Sequence, residues 1–105
     1  MDHKEIDTFV KEVVRKCDPE KIILFGSHAT GQATTGSDVD LFVVVDTKMR
    51  PIAQEVVIRN EIPSRFPLDL IVVKPRQLAE RLKLGDTFVR TVLSKGQVLY
   101  EKDHI

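Results

Sequence analysis

The stretch that most limits what this chain can become lies between two apolar runs. Ile22, Ile23, Leu24 and Phe25 end at Gly26 and Ser27, and a polar segment holding Gly31 and Gly36 then leads through Ser37, Asp38, Val39 and Asp40 into Leu41, Phe42, Val43, Val44 and Val45. Short apolar runs bounded by glycine have the length of buried strands. A Gly-Ser turn after the first strand and a pair of carboxylates at the head of the second form an ordered pattern, that of a phosphate and metal site.

Side chains in a strand alternate between faces, so Asp38 and Asp40 point to the same side, with Phe42 and Val44 following on that face. A third apolar run over residues 68–73 is broken only by Asp69, which is followed on its own face by Ile71 and Val73. If the second and third strands are neighbours, three carboxylates can meet. Crowded carboxylates repel one another and take up protons unless a cation is present. Magnesium suits the count, because it uses one or two carboxylates, waters and substrate phosphates in place of a full protein cage. Two such ions, roughly 3.5–4 Å apart, serve in-line phosphoryl displacement. Asp38, Asp40 and Asp69 are therefore the candidate metal ligands and catalytic acids, and no histidine or cysteine cluster competes with them.

Gly26 and Ser27 are the candidate phosphate contacts, because a strand turning into a helix directs free N–H groups outward. Gly26 and Gly31 have the separation of the two P-loop glycines, yet Gln32 and Ala33 stand where that motif needs lysine followed by serine or threonine. The stretch is not a P-loop. Ser37, next to Asp38, is the best further candidate for a nucleotide contact; Thr30, Thr34 and Thr35 can equally cap turns.

Helical periodicity over residues 2–17 puts Ile6, Phe9, Val10, Val13, Val14 and Cys17 on one side, and Asp18-Pro19 stops it. Pro51 opens a helix whose apolar stripe reads as Ile52, Ala53, Val56 and Val57, ending before Pro63. Pro75 opens another with Leu78, Ala79 and Leu82. A last helix carries Phe88, Val89, Val92 and Leu93, with Asp86 as N-cap and Gly96 as its stop. Residues 98–100 read as a short strand, and the charged tail after it is expected to fray. No repeat or linker interrupts residues 1–105, which read as a single domain of the α/β or α+β class, a small mixed sheet with helices packed on it.

Lysine plus arginine (16) balances aspartate plus glutamate (16), so no excess positive charge is available to hold a nucleic acid or an anionic membrane. The one cysteine excludes an internal disulfide, and nothing at the start resembles an export signal, so a reducing cytoplasm is the expected setting. No apolar run approaches the roughly 20 residues that span a bilayer. His28 reads as an exposed loop histidine, His3 and His104 as terminal residues, Cys17 as a small core residue, and the basic residues from Arg76 to Lys83 as a solvated helix face.

Together these residues resemble the minimal nucleotidyltransferases of the DNA polymerase beta superfamily. That family's pattern is a hydrophobic strand, Gly-Ser, a short helix and loop, Asp-x-Asp in a second strand and a single acid in a third. Here Leu24-Phe25-Gly26-Ser27, Ser37-Asp38-Val39-Asp40-Leu41 and Leu68-Asp69-Leu70 match it, and the resemblance covers residues 22–100. It implies a nucleotidyltransferase fold and transfer of a nucleoside monophosphate, AMP from ATP, with two Mg2+ ions. Asp38 and Asp40 correspond to its metal ligands, Asp69 to the third ligand and base, and Gly26 and Ser27 to its triphosphate contacts. His28 departs from the pattern, since many relatives carry arginine after the serine.

The resemblance also implies a partner. Minimal nucleotidyltransferases often pair with a helical HEPN protein in a toxin–antitoxin system, and this chain lacks the ribonuclease motif of the HEPN side, which makes it the antitoxin. AMP transfer to a tyrosine of the toxin is one mode of such action. A non-catalytic protein-binding antitoxin and a small-molecule, antibiotic-type transferase are the alternatives. Larger family members add a domain for the acceptor, so a homo- or hetero-oligomeric partner is expected to complete the site.

Overall fold

A computed structural model of the chain describes residues 3–103. The elements run α1 (His3–Cys17), β1 (Lys21–Phe25), α2 (Ser27–Thr30), β2 (Val39–Val44), α3 (Pro51–Glu61), β3 (Leu68–Val73), α4 (Pro75–Lys83), α5 (Thr87–Lys95) and β4 (Gln97–Glu101). Residue 2, the expected start of α1, and His104 lie outside the described residues.

The four strands lie in the order β3-β2-β1-β4. β1 is antiparallel to both β2 and β4, whereas β2 and β3 are parallel. The sheet is therefore mixed, as expected. A parallel pair needs a crossover, and α3 provides it. Alternation along β2 divides the interior in two. Val39, Leu41 and Val43 face Ile6, Phe9 and Val13 of α1 and Ile58 of α3, while Phe42 and Val44 face Val89 and Val92 of α5. Helices thus cover both faces of the sheet.

Three expectations need correction. On α3 the expected stripe faces water: Ile52 is 70% and Val56 51% exposed, and Ala53 is exposed too. The buried row is Gln54 and Ile58, continued by Ile62, spaced by four residues along one helix edge. Gln54 is tolerated inside because its amide donates to Cys17 Sγ at 3.6 Å. On α5, Val89 and Val92 are buried but Phe88 and Leu93 are exposed. After β4 the tail is tied down at Lys102, whose N–H bonds Glu20 O at 2.8 Å and whose ammonium meets Asp18 at 2.9 Å.

Asp86 caps α5 as expected. Its Oδ1 accepts the Val89 N–H at 3.1 Å and its Oδ2 accepts from Arg81 Nε at 2.9 Å. The Val89 bond first, then the Arg81 bond, hold its carboxyl below the ordinary aspartate value of 3.8. Folding thus favours the ionised form, so this contribution is complete above 3.8 and is lost as pH falls through the lower folded-state value. Asp86→Ala is expected to lower the thermal midpoint at neutral pH, and the gap to wild type should narrow on acidification through that window. A gap that stays constant in a pH series of melting curves contradicts the capping role.

Candidate active site

The parallel ladder settles how the acids meet. Asp40 of β2 and Asp69 of β3 are register partners, flanked by the pairs Val39 with Leu68 and Leu41 with Leu70. Residues at one level of neighbouring strands point to the same face about 4.8 Å apart, so the two carboxylates stand side by side. Asp38 comes one residue before β2 begins, so it is placed by the preceding loop. Asp69 lies on an edge strand and is exposed, as is Asp38, while Asp40 is half-buried. The third acid is therefore at an open rim and not against the apolar interior.

Gly26 closes on this pair from β1. Phe25 is the register partner of Asp40, which carries Gly26 past the end of the ladder beside that carboxylate. Gly26 has φ 74° and ψ −154°, a region essentially confined to glycine. A Cβ at Gly26 would run into Asp40 Oδ2. Both the turn and the close approach thus require glycine. Ser27 follows as the first residue of α2, a single turn ended by Gly31 at φ 79°.

His28 is not the free loop residue that its position implied. Its ring is half-buried, and Nε2 lies 3.2 Å from Ser37 O, joining α2 to the loop that carries Asp38. The signal for it was its place directly after Gly26 and Ser27. Ser37 uses its hydroxyl within the same loop, accepting the Thr34 N–H at 2.8 Å.

The electrostatics agree with the register. Burial, then Asp69, then Asp38 raise the Asp40 carboxyl above its ordinary value, and His28 partly offsets them. Anionic oxygens are thus concentrated around Asp40, and a donor set made only of carboxylate oxygens fits a hard divalent cation such as magnesium. Among the described residues no set of three or more histidine, cysteine, aspartate or glutamate side chains is gathered closely enough to hold an ion unaided. An incomplete protein set of this kind suits magnesium, which takes its remaining ligands from water and substrate phosphates. A cavity of about 570 Å3 lies between Glu5 of α1, His28, Ser37 and the loop bearing Arg65, and none of the three acids lines it. No described helix is long and apolar enough to cross a membrane.

Known proteins share the fold that carries this geometry. The profile of the family described as Polymerase beta, Nucleotidyltransferase matches residues 8–105. A Methanocaldococcus jannaschii protein provisionally named protein adenylyltransferase MJ1305 is 33% identical over 116 residues, spanning 99% of this chain and 78% of its own. A crystal structure provisionally described as a nucleotidyltransferase from Sulfolobus solfataricus superposes with a TM-score of 0.66 at 20% identity, over 94% of this chain and 79% of that one. A chain from the crystal structure of a toxin–antitoxin with AMP-PNP gives 0.56 at 21% identity, over 92% and 74%. At these identities the structural likeness establishes the fold, which is the nucleotidyltransferase-like mixed sheet.

Gly26→Ala is expected to destabilise the protein by about 1–3 kcal/mol through its backbone conformation alone, and by more through the collision with Asp40. In an Asp40→Ala background only the backbone part remains. Urea unfolding of the four proteins in this cycle checks it, and additive effects would show that Gly26 and Asp40 do not touch.

Proposed function

The chain belongs to the polymerase beta nucleotidyltransferase family, and on that premise we propose that residues 1–105 form one minimal nucleotidyltransferase domain that moves AMP from ATP to a protein hydroxyl. In this reading the acceptor is a tyrosine of a HEPN-type toxin, and the chain acts in the cytoplasm as the antitoxin. The observation that carries it is the placement of Asp40 beside Asp69 with Gly26 against Asp40. The relative named for protein adenylylation supports a protein acceptor. The fold shared with a chain of a toxin–antitoxin crystal structure with AMP-PNP supports ATP as donor and a toxin as partner.

Asp38, Asp40 and Asp69 would hold two magnesium ions, whose chemistry when bound is to neutralise phosphate charge and make the acceptor hydroxyl more acidic. Asp69, open to solvent at the sheet edge, takes the proton of that hydroxyl. The oxygen attacks the α-phosphorus, the bond to the oxygen bridging to the β-phosphate breaks, and pyrophosphate leaves. The N–H groups at Gly26 and Ser27, with the Ser27 hydroxyl, take up the outgoing phosphates. Ser37 can still donate its hydroxyl proton to the nucleotide while accepting from Thr34.

Incubation with labelled ATP, Mg2+ and the partner purified with the chain tests the reading. Label is expected on a partner tyrosine, lost on chelation and reduced by about 10²–10³-fold in Asp69→Asn, with a larger loss in the Asp38→Asn, Asp40→Asn double variant. Undiminished transfer by the double variant would refute the mechanism. If a triple-acid variant still protects co-expressing cells fully, binding alone is the antitoxin activity.

A further inference from the structure

The transfer reaction makes no use of a cleft that opens directly beside Gly26. Phe25 stands opposite Asp40 in the antiparallel β1–β2 register, so its ring and that carboxylate share one face of the sheet. Asp69 stands on the other side of Asp40. Asp69, Asp40 and Phe25 thus form a row across three strands, two acids and then an aromatic ring. Phe88 of α5 extends the row, meeting Phe25 edge-on with ring centroids 5.6 Å apart and planes at 85°. Phe42, fully buried, supports both rings from below at 6.5 and 6.4 Å. Phe88 itself is 39% exposed.

Between these rings and α2 lies a cavity of about 170 Å3, bounded by Phe25, Gly26 and Thr30 on one side and Phe88, Thr91 and Lys95 on the other. Its two threonines direct their hydroxyls to backbone. Thr30 Oγ1 donates to Gly26 O at 3.4 Å, and Thr91 Oγ1 donates to Thr87 O at 2.9 Å. The walls therefore offer ring carbons and hydrocarbon, the stem of Lys95 included. Gly26 belongs both to this cleft and to the contact with Asp40, so a ligand seated here reaches the acids without leaving the surface.

We propose that this cleft seats the base of the nucleoside triphosphate, held by contact with the Phe88 ring. The proposal rests on the nucleotide reading above and adds which part of the nucleotide is recognised and by what. Stacking is available to every base and grows with ring area, whereas discrimination between adenine and guanine needs polar groups aimed at their edges. A cleft without such groups on its walls prefers purines to pyrimidines and separates the two purines poorly.

Isothermal titration of the full chain with Mg2+ tests this, using non-hydrolysable analogues of ATP, GTP and CTP, and inorganic tripolyphosphate as a ligand without a base. The wild type is expected to bind the ATP and GTP analogues within a few-fold of each other and both more tightly than the CTP analogue. Phe88→Leu, which keeps an apolar side chain but no ring, should weaken the ATP analogue roughly ten- to hundredfold and leave tripolyphosphate unchanged, and Phe88→Tyr should restore binding. Equal affinity of Phe88→Leu and wild type for the ATP analogue overturns the proposal, as does an equal loss of both ligands. Tripolyphosphate binding as tightly as the ATP analogue to wild type also overturns it and leaves the phosphate site standing. A wild type that binds neither overturns the nucleotide reading, and the base seat falls with it.

Discussion

The chemistry at this site depends on the parallel β2–β3 ladder. Six residue pairs from Val39 with Leu68 to Val44 with Val73 hold it in register, and a slip of one residue would turn every β3 side chain to the opposite face. Such a slip would carry Leu70 and Val72 away from α1 and turn Asp69 into the apolar cluster they now fill, so their packing keeps the acid on the opposite face. The cost falls on Asp40, whose carboxyl is raised first by burial and then by the neighbouring Asp69. A stable ladder can carry that strain because Leu41 and Val43 are fully buried beneath it. The proposed function is thus built on a placement that by itself disfavours the fold.

The position of β3 at the edge of the sheet matters equally. In a central strand Asp69 would be enclosed by neighbours on both sides and by helices. At the edge it faces solvent, where a macromolecular hydroxyl can approach. Asp40, between two strands, is the more enclosed acid. The two carboxylates therefore occupy unlike environments at one level of the sheet, the condition under which neighbouring acids take different roles.

Much of this was legible because it is local. Short apolar runs identified β1, β2 and β3, and Gly26, Gly31, Asp86 and Gly96 marked real ends of elements, whereas Asp38, expected on the strand face of Asp40, lies in the loop before β2. Strand pairing was not legible, since period-two alternation tells which face a residue takes but not which strand lies beside it. The inward face of α3 was misread because Ile52, Ala53 and Val56 are as apolar as the buried row. Only the contact of Gln54 with Cys17, 37 positions away in sequence, shows why a polar residue points inward. Phe88 read as core for a similar reason: it belongs to the apolar stripe of α5, yet it lies where that stripe emerges from the sheet beside Gly26. His28 was undervalued because its partner, Ser37 O, is a backbone atom, and no residue type marks such an acceptor.

The three acids are not positioned by the same means. Asp40 and Asp69 are set by ladder geometry, so their separation changes only if the sheet deforms. Asp38 is set by the loop from Gly31, fastened by the Gln32 N–H to Ser27 O, the Ser37 bonds to Thr34 and the bond between His28 and Ser37 O, and tied at its end by the Val39 N–H to Pro67 O. Those few hydrogen bonds resist displacement far less than six ladder pairs over a packed core. Asp38 is therefore the adjustable member of the set, and His28 is the side chain that links its loop to the Gly-Ser turn. A ligand that draws the three carboxylates together therefore bears on that link, since the backbones of Asp40 and Asp69 are held by the ladder.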